Sequence, residues 1–244
     1  MKIYAIGDLH LSLKNKFEPG RWDEIKEYKP MDRFGDHWEQ HTKKIYQNWQ
    51  QQIRRGDVVL VPGDLSWAQK LEETDNDFDF ISQLPGTKIL VKGNHDYWWQ
   101  SISQLRSKLP DDTYALQYDS MGVNGVSIAG TRGWVCPNQD QFSEHDQKIF
   151  RREAMRLKRS LESIENREKK LIVMFHYMPT NEKHETNQFI EILQEYEVDI
   201  CLYGHLHGQK SHEIRLPQTK WGIEFKLVSA DFLDFEPELI YKKM

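Results

Sequence analysis

The chain has 244 residues, 38% of them hydrophobic and 29% charged, with a formal net charge of −5. That is enough chain for one sizeable core and fits one domain over 1–244, while no apolar run reaches the roughly 18 residues that a membrane span needs. The acidic balance argues against a protein built to grip a nucleic-acid duplex, and two distant, unpatterned cysteines, Cys136 and Cys201, point to a reducing cytoplasm and to no catalytic thiol.

Lys2 to Ile6 reads as a buried strand that begins almost at the first residue, as expected of a soluble, unprocessed protein, and it runs into Asp8-Leu9-His10. The connection to the next strand is longer than one βα link requires. Within it, an insert at about 14–41 mixes aromatics with charge: Phe17, Arg21, Trp22, Tyr28, Arg33, Phe34, His37, Trp38 and His41. It is expected either to wall the site as a lid with an aromatic platform, Trp38 included, or simply to pack against the body. A helix is expected over Trp38 to Arg54.

Val58 to Val61 reads as the next strand and delivers Gly63-Asp64; Lys88 to Val91 delivers Gly93-Asn94-His95-Asp96. Trp98 and Trp99 either stack on a substrate or anchor a helix running to Leu109. Tyr114 to Gly130 is strand material with a turn at Asn124-Gly125, and Arg132 follows it, free to contact a phosphate or to pair with an acidic residue. Gln147 to Lys170 carries Ile149, Phe150, Ala154, Leu157, Leu161 and Ile164 at helical spacing, so its many basic residues belong to a solvated face. Leu171 to Phe175 then delivers His176, and Val198 to Tyr203 delivers Gly204-His205-Leu206-His207. Closing strands are expected over Ile223 to Ser229 and Glu238 to Tyr241, and His184 and His212 are expected at the surface.

Five polar blocks thus each follow a buried strand, at the edge where α/β folds gather their loops and bind ligands. Asp8 and His10, like His205 and His207, are two residues apart, a spacing that on extended backbone sends both side chains to one side. Imidazole, carboxylate and amide donors together suit borderline divalent ions such as Mn, Fe, Zn, Co or Ni rather than Mg or Ca. Two such ions roughly 3.5–4 Å apart can clamp a phosphoryl group and activate a water.

In order and spacing these blocks resemble the calcineurin-like metallophosphoesterases, whose pattern is Asp-x-His, Gly-Asp, Gly-Asn-His-Asp/Glu, His and Gly-His-x-His; the match spans Asp8 to His207. The resemblance implies an α/β fold, a four-layer α/β/β/α sandwich of two mixed sheets flanked by helices, with a dinuclear centre. Asp8, His10 and His207 are then expected on one metal, Asn94, His176 and His205 on the other, and Asp64 between them. His95 resembles the family's outer-sphere histidine beside the leaving group, with Asp96 orienting it. The implied activity is hydrolysis of a phosphomono- or phosphodiester by in-line attack of a metal-bound hydroxide, with two transition metals, manganese first. The arginines of the protein-phosphatase branch are absent at Leu65-Ser66-Trp67 and Lys92, which favours a small-molecule phosphate ester and the bacterial phosphoesterase-like branch. A metal-dependent nuclease and a non-catalytic scaffold of the same fold are the alternatives.

Overall fold

A computed structural model describes residues 1–140 and 142–243. In chain order its strands are β1 (Lys2–Ala5), β2 (Val58–Pro62), β3 (Thr87–Val91), β4 (Thr113–Ala115), β5 (Met121–Val123), β6 (Val126–Thr131), β7 (Lys170–Phe175), β8 (Ile200–Tyr203), β9 (Thr219–Lys220), β10 (Ile223–Leu227) and β11 (Glu238–Lys242). Its helices are α1 (His41–Gln52), α2 (Asp75–Ser82), α3 (Ile102–Lys108), α4 (Glu144–Glu162), α5 (Gln188–Glu195) and α6 (Gly208–Glu213). None of the described helices is long and apolar enough to cross a membrane.

The strands form two mixed sheets, ordered β11-β1-β2-β3-β4 and β5-β6-β7-β8-β10-β9. The central strands of each run parallel; antiparallel β11 closes one edge of the first sheet and parallel β4 the other, while antiparallel β5 and β9 close the second. Strand alternation explains the layering. Ile3, Ala5, Val58 and Leu60 of the first sheet pack with Ile128, Ile172, Met174 and Leu202 of the second. Their neighbours face outward: Tyr4, Val59 and Val61 meet Ile45, Trp49, Phe80 and Ile81 of α1 and α2, and Val173, Phe175, Cys201 and Tyr203 meet Phe150, Leu157, Phe189 and Leu193 of α4 and α5. The result is the expected four-layer α/β/β/α arrangement.

The strands that deliver the motifs stay within about two residues of their expected bounds, whereas the stretch from Tyr114 to the Asn124-Gly125 turn breaks into β4 and β5 in different sheets, and the helices start or stop elsewhere. α4 ends at Glu162, well short of Lys170, because Lys170 already pairs with Val126 in the sheet. Its start is fixed by a reciprocal cap in which Ser143 accepts from the Asp146 amide and Asp146 reaches back to the Ser143 amide. α1 begins at His41 rather than Trp38, since Gln40 takes a left-handed backbone (φ 53) that no helix can include. α3 begins at Ile102, after an extended Ser101.

The C-terminal edges of the two sheets are stitched together where the site lies. Gly7 donates to the Val228 carbonyl at 2.7 Å, and Ala230 donates back to Gly7 at 3.1 Å. The expected insert is irregular, with three 3-10 turns, and its aromatics divide: Phe17, Trp22 and Trp38 pack into the outer core, while Tyr28 and Phe34 stay exposed.

Candidate metal centre

The loop after β1 runs beside the loop after β2, with the Asp8 amide bonded to Gly63 and the His10 amide to Asp64. Leu9 and Leu11 sink into the core, so Asp8 and His10 turn the other way. The pairing inferred from spacing holds, yet the backbone is not extended there. Asp8, His10, Asp64 and His205 have φ of 57, 49, 52 and 69, a left-handed conformation that costs free energy in residues with a Cβ and collects at functional sites.

Close approach explains two of the motif glycines. A Cβ on Gly93 would collide with the carboxylate and amide of Asp64, and one on Gly204 would collide with the Asp8 carboxylate.

The donor atoms converge in two groups, Asp8 with His10 and His207, and Asp8 with Asp64 and His176, each within 4.8 Å of one another. His207 Nε2 lies 3.4 Å from Asp8 Oδ1 and 3.3 Å from His10 Nε2. Asp64 Oδ2 lies 3.9 Å from His10 Nε2 and 3.5 Å from His176 Nε2, between the two groups. Asn94 Oδ1 is 2.6 Å from His176 Nε2. His205 donates its amide to Asp8, and its ring packs against those of His176 and Tyr177.

This cluster fits divalent cations. His176 Nδ1 is 3.1 Å from the Pro62 carbonyl, and donating there leaves its Nε2 lone pair turned to the centre. His10 Nδ1 is buried with no partner among the described residues. Burial holds His10 and His176 below the ordinary histidine range and His205 down at about 3, so they are neutral, lone-pair donors of the kind metals require. Burial and the neighbouring Asp8 push Asp64 up to about 8. Burial also opposes charge on Asp8 and His207, but their mutual attraction prevails, lowering Asp8 and raising His207 to about 10 with help from Asp231. Two buried carboxylates facing imidazole lone pairs form a pocket that positive charge would stabilise.

His95 stands at the rim. Its amide donates to Asp64 Oδ1, its ring packs on Trp67 at 4.2 Å between centroids, and burial with the nearby Lys29 brings it down to about 4. Beyond it opens a largely apolar hollow of about 490 Å³, lined by Tyr28 and Lys29 of the insert, Trp67 and Tyr97.

Four expectations need correction. Asp96 does not orient His95: its oxygens accept from the amides of Gly93, Asp64, Leu65 and Ser66, tying two site loops together. Trp98 is no substrate contact; it is fully buried and donates to the Ser66 carbonyl, which supports its reading as an anchor. Trp38 is buried as well, its edge packed on His10 and His207, so it backs the ligands instead of offering a platform. His212 is half-buried rather than freely at the surface, with its Nε2 3.3 Å from buried Asp231. Arg132 follows its acidic-pair alternative: it faces Glu153 and lies over Trp134, away from the hollow that His95 lines. Asp231, which holds His207, and Lys29 and Trp67, which flank His95, belong to no motif. Asp231 could have been sought as one more polar residue just past a strand, β10.

An uncharacterized protein of Methanocaldococcus jannaschii is 24% identical over 132 residues, covering 51% of this chain and 68% of that one. A protein of Thermus thermophilus shares the fold with a TM-score of 0.52 at 14% identity, over 85% of this chain and 82% of its own. An anchor protein of the Plasmodium inner membrane complex aligns with a TM-score of 0.50 at 14% identity, over 95% and 72%. The pattern that defines the calcineurin-like phosphoesterases matches residues 1–209, and the chain belongs to that family.

Proposed function

We propose that the chain is a dinuclear metal-dependent hydrolase of small phosphate esters. The observation that carries this reading is the convergence of Asp8, His10, Asp64, His176 and His207 next to an open hollow, in a member of a metal-dependent phosphoesterase family. In this reading Asp8, His10 and His207 hold one cation, Asn94, His176 and His205 hold the other, and Asp64 lies between them. Manganese is the first choice, with iron, zinc, cobalt or nickel compatible with the same donors. When bound, the two ions supply Lewis acidity toward the phosphoryl oxygens and a water acidic enough to serve as nucleophile near neutrality.

The chain's own residues do the rest. Trp67 and the His95 amide bond to Asp64 hold the His95 ring at the rim, where it hydrogen-bonds the leaving-group oxygen. A ring held near 4 is neutral at pH 7, and an arriving phosphate dianion favours its protonated form. The insert forms one wall of the leaving-group hollow through Tyr28 and Lys29. The Trp67 ring carries His10 stacked on it and Lys29 Nζ 3.0 Å from its centroid, so an anionic substituent meets a positive charge that the ring holds in place. Two buried, unpaired cysteines are in keeping with a cytoplasmic location.

The test is hydrolysis of p-nitrophenyl phosphate and bis(p-nitrophenyl) phosphate by chelator-stripped protein reloaded with Mn, Zn, Ni or Co, with Asp64→Asn as control. Metal-dependent turnover that disappears in the variant is expected, and its substrate preference separates mono- from diesterase. Two ions bound per chain without turnover on either ester would overturn the reading.

A further inference from the structure

A second hollow, of about 280 Å³, opens between the C-terminal ends of β3 and β6 and the flank of α4. Four cationic side chains line it: Lys92 from just past β3, Arg132 from just past β6, and Arg152 and Arg156 from α4. The three arginines share one carboxylate. Glu153 is buried and accepts from Thr131 Oγ1 at 2.8 Å and Arg156 Nη1 at 2.6 Å, while Arg132 Nη2 stands at 3.5 Å and Arg152 Nε at 4.0 Å. Glu153 is the one acidic side chain lining the hollow, and with Asp96 acting on Lys92 from nearby the positive groups still outnumber the negative ones, in a chain whose net charge is −5.

Geometry adds to charge. Arg132 lies over Trp134, its Cζ 4.5 Å from the ring centroid, and its Nε is buried without a partner among the described residues. Arg156 is likewise positioned over Tyr118. Lys92 Nζ donates to the Trp99 carbonyl at 2.7 Å and has two further protons to give. Preset guanidinium forks match the tetrahedral oxygens of a phosphate, and a half-enclosed polar wall strengthens each such bond relative to open water. A single glutamate satisfies one or two cations; gathering four leaves a gap that an anion of two or more charges fills. The lining is polar, unlike that of the hollow beside His95, so a flat apolar ligand gains little here.

We propose that this hollow is a binding site for a small free anion of the phosphate class, distinct from the metal centre. Its position links it to the centre without being part of it: Lys92 leads into Asn94, and the Arg132 carbonyl accepts the amides of His176 and Tyr177.

The test is calorimetric titration of inorganic phosphate, pyrophosphate and acetate into the full chain after chelation, so that no metal competes for the anion. Phosphate and pyrophosphate should bind at millimolar concentration or tighter and acetate at least tenfold more weakly. Arg152→Gln, at a half-exposed position that carries no fold, should weaken phosphate at least threefold, and Arg152→Glu more than tenfold. Asp64→Asn should leave it unchanged. Absence of phosphate binding, equal affinity for acetate, indifference to Arg152→Glu, or loss of binding in Asp64→Asn would each overturn the proposal. All readouts are binding to metal-free protein, so they stand whether or not the chain proves to be a phosphoesterase.

Discussion

His207 Nδ1 lies 2.8 Å from Asp231 Oδ1, and this contact turns the opposite nitrogen, Nε2, toward Asp8 and His10. Asp231 is itself anchored by the Gly208 amide at 2.9 Å and approached by His212 at 3.3 Å. A carboxylate behind a ligating histidine fixes its ring and raises its basicity, and losing such a partner commonly costs about 10–100-fold in metal affinity. Asp231→Ala should therefore weaken Mn or Zn binding by about that factor, with Asp231→Asn between it and the parent. Titration of stripped protein with metal checks this, and unchanged affinity in both variants would rule the role out.

Asp96 makes a different prediction from the one its motif suggests. It receives four backbone amides from two loops, and an asparagine offers only one oxygen to do so. Burial and the neighbouring Asp64 push Asp96 up to about 7, so it is a charged acceptor only above neutrality; at pH 8, Asp96→Asn should cost about 2 kcal/mol in urea denaturation and loosen metal binding with it. If Asp96 instead acted through the His95 ring, stability would hold and only the dependence on the leaving group would change.

The parts legible in the sequence are those set by local pattern. Short runs of Ile, Val and Leu marked the parallel strands, and motif order placed Asp8, Asp64, Asn94, His176 and His207 at one edge. What escaped depends on tertiary contact. Nothing local distinguishes Trp38 and Trp98, which are buried, from Tyr28, which is exposed; the difference is whether each has a core to pack against. Asp96 carries a family signature, but its partners include amides of the 64–66 loop, which only folding brings near. Asp231 lies beyond the last motif, and only its contact with the His207 ring marks it.

Trp67 stacks on His10 at 4.7 Å between centroids, packs on His95 and lies under Lys29, so it connects the centre to the leaving-group hollow. Trp67→Leu keeps apolar bulk while removing the ring that seats the Lys29 ammonium, a contact worth about 1 kcal/mol or roughly fivefold. The value of kcat/KM should fall by about that much more for p-nitrophenyl phosphate than for a small alkyl phosphate. Equal losses on both would mean that Trp67 only supports the histidines.

Asp77 supplies a pH dependence away from the metal donors. It is buried, accepting from Ser66 Oγ and from the Leu13 amide, and burial raises it to about 6 despite those bonds, with Glu27 adding repulsion. Because the folded value exceeds the unfolded one, the carboxyl is protonated in both states below about pH 4 and imposes no penalty there. Between about 4 and 6 only the folded state retains the proton, so stability falls as pH rises, and above 6 the full penalty, about 3 kcal/mol, is present. Asp77→Asn keeps an acceptor for Leu13 and does not titrate. Subtracting its stability from that of the parent removes every other titrating group, including those of the metal centre, and should leave a decline of about 1–2 kcal/mol from pH 5 to pH 8 in the stripped protein. Parallel urea-denaturation curves for the two proteins across that range would show that Asp77 is ionised throughout, held by Ser66 and Leu13 against the cost of its burial.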